Sequence, residues 1–282
     1  MSAQSKTKAP RVAIVSDPMC QSGGAERVVE ALGEAFPDAP IFSILYSPAY
    51  GPRSLKDRVV QSWLHRIPGA TSYARALFPL YPSAIESFDL RDFDVIVSSH
   101  HTLAKGLLRN AQQTHICYCH TPMRALWELP HEEVLRAPAL LRPLIRTLLL
   151  ALRGWDFATA SRVDHFVANS RLTSDRIRKH YRRDSIVVHP PIEIDRFVPG
   201  DVEVGDYYLI AARNVPYKRI DLAIEAAERL GRRLVVVGEG TDRLAKESRC
   251  VTFLGKVSDD KLRALMQSAR ALLFPQKEDF GM

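Results

Sequence analysis

Short apolar runs alternate with amphipathic stretches along nearly the whole chain, and the two periods differ. RVAIVS (Arg11 to Ser16) is a compact apolar run that predicts a strand, and AERVVEALGEAF after it has the spacing of a helix with one apolar face. PIFSILY, DVIVSSH and THICYC read as further strands with helical segments between several of them. A long helical region covers roughly residues 141–162, followed by the strand VDHFVA, the helix SRLTSDRIRKHY and the strand SIVVHPP. VPGDVEVGD then carries proline, glycine and acids without apolar periodicity, which predicts a linker. The alternation restarts as YYLIAA, RIDLAIEAAERL, RRLVVVG, DRLAKES, CVTFLG, DDKLRALMQSA and ALLFP, strand and helix by turns.

Strands alternating with helices imply parallel βαβ units, and two such series imply two Rossmann-like α/β domains facing a cleft. Ligands are then expected at the C-terminal ends of the strands. The expected boundaries are a disordered tail over residues 1–10, a first domain over 11–198 and a second over 199–282. The second series has four strands where a doubly wound nucleotide-binding sheet usually has about six, so that domain is expected to be partial. ALLFP should lie at an uncovered edge with its apolar faces exposed.

Composition narrows the class. A hydrophobic share of 46% and a charged share of 25% are ordinary for a globular protein. No apolar run reaches the ~20 residues of a membrane span, and the polar start MSAQSKTKAP lacks a signal-peptide core. Of the four cysteines, none shows paired metal spacing, and Cys117 and Cys119 fall on one face of a strand, as core residues would. A reducing cytoplasm is expected. The net charge of +7 is uneven: residues 201–282 hold 14 Lys+Arg against 13 Asp+Glu, so most of the surplus lies in the first 200. A basic first half suits an anionic membrane surface, a nucleic acid or a phosphorylated substrate, and equally suits solubility alone. Nucleic acid is the outsider, because no strand face interleaves aromatic and basic residues.

Candidate chemistry lies in four loops. SDPMCQSGGAERVVE places Gly23 and Gly24 between strand and helix, where backbone amides can approach a phosphate or sugar, or where glycine merely turns the chain. CHTPMRALWEL places His120 at a strand's end, able to donate to a substrate hydroxyl or steady a charged transition state, or simply to cap or fill the core. YYLIAARNVPYKRIDLAI places Arg213 at a strand end and Lys218 five residues on, near a helix N-terminus; two fixed cations there suit a diphosphate leaving group. QKEDFGM places Glu278 after the last strand, where a carboxylate can accept from sugar hydroxyls or stand alone on the surface. No Asp-x-Asp follows a strand, and FDLRDFD precedes one as a turn, so no metal is expected. Arg136 to Trp155 contains no acid, and on a helix Arg142, Arg146 and Arg153 cluster beside a leucine-rich face. Such a helix can lie in a membrane interface or form a core helix with an arginine edge.

GGAERVVE, HTPMRALW, VANS, HPPIEIDRF, RNVPYKRIDLAIEA, VVGEG, FLGKVSDDKLRAL and FPQKEDFG, in this order, resemble the family 4 glycosyltransferases, which are retaining, metal-independent and of the GT-B fold. Among these, the motifs are most similar to bacterial mannosyltransferase-like enzymes of surface polysaccharide synthesis. The resemblance implies that Arg213 and Lys218 hold the donor diphosphate and that Glu278 is the first of the family's two paired glutamates. It places the amides of Phe280 and Gly281 on the donor sugar, Gly23 and Gly24 against donor phosphates or acceptor, and His120 near the transferred sugar. Gly238 and Gly240 would line the nucleotide side, with Lys256 and Val257 near the base. The second glutamate would fall at position 286, beyond residue 282.

The implied reaction moves a sugar, mannose favoured, from a nucleotide diphosphate sugar to a glycan or lipid-linked acceptor. It needs no cofactor, and lipid-linked acceptors would bring residues 136–155 to the inner face of a membrane. Two other readings stay open: an inactive binding module, and another GT-B enzyme such as a nucleotide-sugar epimerase or a phosphorylase.

Overall fold

The computed structural model describes residues 9–21, 23–192, 194, 197–200, 202–244, 248–276 and 278–281. The expected tail lies outside them up to residue 8. The chain divides into two compact units, one of Met1–Pro191 with Asp279–Met282, the other of Ile192–Glu278. The division falls a few residues before the expected boundary at 198, because the chain leaves the first sheet at the proline pair Pro190–Pro191.

The first unit is built on seven strands: β1 (Val12–Ser16), β2 (Ile41–Ser43), β3 (Val59–Gln61), β4 (Val95–His100), β5 (Thr114–Cys119), β6 (His165–Ala168) and β7 (Ser185–Val187). They are all parallel, in the order β3-β2-β1-β4-β5-β6-β7. Both faces are covered, which is why these strands read as continuous apolar runs and not as alternating ones. Strand β1 shows the period of two: Ala13 and Val15 enter one core cluster with Phe42, Ile85 and Leu152, while Ile14 enters another with Val29 and Ile41.

Several expectations shift in length. The ladder of PIFSILY covers Ile41–Ser43, after which Ser43 Oγ bonds the carbonyls of Asp17 (3.1 Å) and Leu45 (2.8 Å), and Tyr46 adds one isolated bridge to Met19. SIVVHPP pairs only over Ser185–Val187, since the prolines that end it have no N–H for a ladder. Edge strand β3 has no signal strong enough to predict: three residues, none fully buried.

Helices α1 (Gly24–Ala35), α2 (Tyr81–Glu86), α3 (Arg124–Trp127), α4 (Pro130–Arg136), α5 (Arg142–Thr159) and α6 (Arg171–Tyr181) complete the unit. Ser170 starts α6 with its hydroxyl accepting from the Thr173 amide at 3.1 Å. Cys117 and Cys119 are buried together with Phe166 and Ile177, as their spacing requires.

The second unit holds β8 (Tyr208–Ala211), β9 (Leu234–Val237), β10 (Val251–Gly255) and β11 (Ala271–Leu272), all parallel in the order β10-β9-β8-β11. Helix α7 (Ile220–Leu230) buries Ile220, Ala223 and Ala227, one face at helical spacing, against Ile210 and Val236. Helix α8 (Asp259–Ser268) is capped by Ser258. DRLAKES, expected as a helix, forms a single 3-10 turn at Asp242–Leu244, and residues 245–247 lie outside the described ones. Strand β11 is an edge strand, with Leu272 and Phe274 about half exposed.

Candidate active site

Each sheet reverses its winding at one point. In the first it lies between β1 and β4, in the second between β8 and β11, and a doubly wound sheet binds ligands beyond the strand ends at such a point.

At the first switch point the end of β1 carries Asp17, whose side chain is fully buried. Its carboxylate accepts four backbone N–H bonds from the loop after β4: His101 and Thr102 donate to Oδ2 at 2.7 Å each, Leu103 and Ala104 to Oδ1 at 2.8 and 2.9 Å. A buried carboxylate is tolerated only when so satisfied, and this one locks the loop in place. His101 extends from that loop, its Nδ1 3.4 Å from Asp17 Oδ2. His120, at the end of neighbouring β5, reaches Ser99 Oγ through Nε2 at 2.9 Å and packs edge-on against Tyr118 and His101. Burial, aided by the neighbouring His101, pushes His120 down to about 3. The imidazole is therefore neutral near pH 7, and the hydroxyl it bonds in the fold is that of Ser99.

Gly23 and Gly24 sit where the sequence expects, at the start of α1. Gly23 has φ −164°, extended backbone that any residue adopts. What a side chain there would meet is the Glu26 carboxylate, 3.0 Å from the position of a Cβ.

At the second switch point, Lys218 ends a 3-10 turn (Pro216–Lys218) in the loop after β8, and its Nζ is ion-paired with Glu278 from the loop after β11. Both side chains are mostly buried. Arg219, next in line, holds a left-handed backbone (φ 52°) while starting α7, and its side chain turns outward to Asp221. Such a conformation in a non-glycine residue is uncommon and here fixes Lys218 beside the positive helix end. Arg213 lies in the same loop, its carbonyl accepting from the Val215 amide at 2.9 Å. Gly238 is placed against it: with φ 137°, a Cβ there would stand 2.0 Å from the Ala212 carbonyl oxygen. Only glycine lets the loops after β8 and β9 meet so closely. Gly240 also has positive φ, and the Gly238 amide bonds the Gly255 carbonyl at 2.8 Å, directly before Lys256 and Val257.

Arg213, Lys218, Gly238, Gly240, Lys256, Val257 and Glu278 thus share one edge of the second sheet. Phe280 and Gly281 group with the first unit, where the Phe280 ring lies 5.3 Å from that of His189. Asp279 is there ion-paired with Arg176 and, at 2.8 Å, with Arg124.

Asp17, Ser99 and His101 escape a reading by motif. Their signal is positional, a polar cluster (SDP and SSHH) ending two strands that prove adjacent. Among the described residues no group of three His, Cys, Asp or Glu side chains is placed to hold a metal ion.

Two doubly wound parallel α/β units in one chain define the GT-B class of glycosyltransferase folds. Residues 22–196 match Glycosyltransferase Family 4, and the chain belongs to that family. Residues 191–282 match Glycosyl transferases group 1. A D-inositol 3-phosphate glycosyltransferase from Mycolicibacterium paratuberculosis is 34% identical over 121 residues, covering 34% of this chain and 27% of that protein. Two solved structures share the fold. HepE from Anabaena, in complex with UDP and glucose, has a TM-score of 0.62 at 15% identity, over 96% of this chain and 76% of that one. A glycosyltransferase from Rickettsia africae has 0.52 at 13% identity, over 95% and 74%.

Proposed function

We propose that the protein transfers a hexose from a nucleotide diphosphate sugar to a hydroxyl of a glycan or lipid-linked acceptor, with retention of anomeric configuration. The observation that carries this reading is the Lys218–Glu278 pair at the second switch point, beside the N-terminus of α7. A cation held at a helix start suits a diphosphate, and a carboxylate beside it suits sugar hydroxyls. HepE, which shares the fold, was solved with UDP and glucose. The motif resemblance favours mannose as the sugar.

The C1–O bond breaks toward an oxocarbenium-like state, and charge develops on the departing diphosphate. Lys218 and Arg213 offset that charge where the site excludes water. The departing phosphate oxygen takes the acceptor's proton, so no side-chain nucleophile is needed. His120, neutral, holds a sugar hydroxyl. The reaction takes no metal, which turnover in excess chelator tests. Incubation with UDP- and GDP-hexoses and mass analysis of products separate transfer from epimerisation and phosphorolysis. Lys218→Ala should keep its fold and lose ~10²–10³ in turnover; near-normal turnover in that variant would sink the assignment.

We also propose peripheral contact with an anionic membrane surface on the cytoplasmic side. Leu140, Leu144 and Leu150 are exposed on and beside α5, and residues 136–155 hold four arginines and no acid. Leu149 and Leu152 of the same helix are buried, so α5 serves the core with one face and presents leucine with another. No helix among the described residues is long and apolar enough to cross a membrane. Co-sedimentation with vesicles containing anionic lipid, lost in Leu140→Glu/Leu144→Glu, checks this.

A further inference from the structure

A groove of about 630 Å³ in the first unit lies outside the site described above. Its lining is apolar: Phe78, Tyr81, Met123, Ile145, Leu148 and Leu149. The Tyr81 hydroxyl is spent on the Ala74 carbonyl at 2.6 Å, and the Phe78 and Tyr81 rings pack edge to face at 5.6 Å. The volume is in the range of small-molecule sites. One polar cluster stands in the lining: Glu133 is ion-paired with both Arg75 and Arg136, leaving one net positive charge. The groove reaches Met123, three residues after His120 in the same loop, and its Arg136 side begins the acid-free stretch 136–155.

An apolar trough with a cationic rim matches an ion that is apolar along its length and negative at one end. We propose that this groove binds the alkyl or isoprenoid chain of a single-tailed amphiphile whose phosphate meets Arg75 and Arg136. Its role as acceptor rests on the transferase reading; the binding itself does not.

The test is titration calorimetry with hexyl, octyl and decyl phosphate, each below its micelle concentration. The dissociation constant should fall about 4-fold for each methylene that enters the groove. Ala125→Phe and, separately, Ala76→Phe fill the groove and should abolish that chain-length dependence at unchanged near-ultraviolet circular dichroism. Arg136→Gln should weaken alkyl phosphates several-fold and keep the dependence. A decyl phosphate with a terminal diazirine should label residues 123–125 or 145–149. Affinity independent of chain length, or labelling confined to the exposed Leu140–Leu141 surface, would overturn the proposal. Because the readout is binding, a protein that binds the probes yet transfers no sugar would reject the transferase reading and keep the groove.

Discussion

Asp17 shows how one side chain can set a site. Four amides converge on its two oxygens, and no neutral residue of that size can accept all four. In Asp17→Asn the amide nitrogen would face two of the donors, each orphaned at a cost of about 1–3 kcal/mol. The urea midpoint should fall accordingly at constant m-value, and the loop bearing His101 should lose hydrogen-exchange protection. His120 is set by burial instead. Together with His115, which burial lowers to about 4, it is held neutral in the fold well below the ordinary value of 6.5. The unfolded chain therefore binds more protons in this range, so stability rises with pH. The contribution is complete above about pH 6.5 and is lost as pH falls toward 4 and then 3, which melting at stepped pH will show. Carbon-bound proton shifts of His120 should show no titration between pH 5 and 8.

At the scale of elements, α5 is pinned by charge as well as by leucine. Lys105, from the loop after β4, lies 2.7 Å from Asp156 of α5, and both are fully buried. Thr159 accepts from Lys105 at 2.9 Å, while Trp127 and Tyr181 donate to Asp156 at 2.7 and 3.0 Å. One carboxylate thus joins α3, α5, α6 and the β4 loop. Lys105→Met should cost roughly 3–5 kcal/mol, since it leaves a buried carboxylate without its cation. Lys105→Met/Asp156→Leu should recover part of the loss, which chemical denaturation would measure. In the second unit the element contact that matters is glycine against carbonyl. Gly238→Ala would clash with Ala212 and adopt a disfavoured backbone, at about 3 kcal/mol or more. Nucleotide-sugar binding should fall with it, because the Arg213 loop must move.

For the whole molecule, the two units have separate cores, and residues 197–200 and 202–204, near the start of the second, are exposed and carry no helix or strand. A glutamate-specific protease is expected to cut first after Glu203, giving two fragments that each resist further digestion. Denaturant unfolding followed by tryptophan should report the first unit alone, since all three tryptophans lie there.

Much of this was legible in the chain. The alternation of periods determined the parallel α/β class, because strands covered on both faces must be apolar throughout. Loop chemistry singled out Arg213, Lys218, Glu278 and His120, since polar residues directly behind apolar strands land beyond the C-terminal edge of a parallel sheet. Strand order was not legible, and it is what makes the β8 and β11 loops neighbours and turns two distant residues into the Lys218–Glu278 pair. The protonation of His120 and the grip of Asp17 were likewise decided by tertiary structure. Both depend on desolvation and on donors from across the sheet, and neither quantity belongs to a residue until its neighbours are in place.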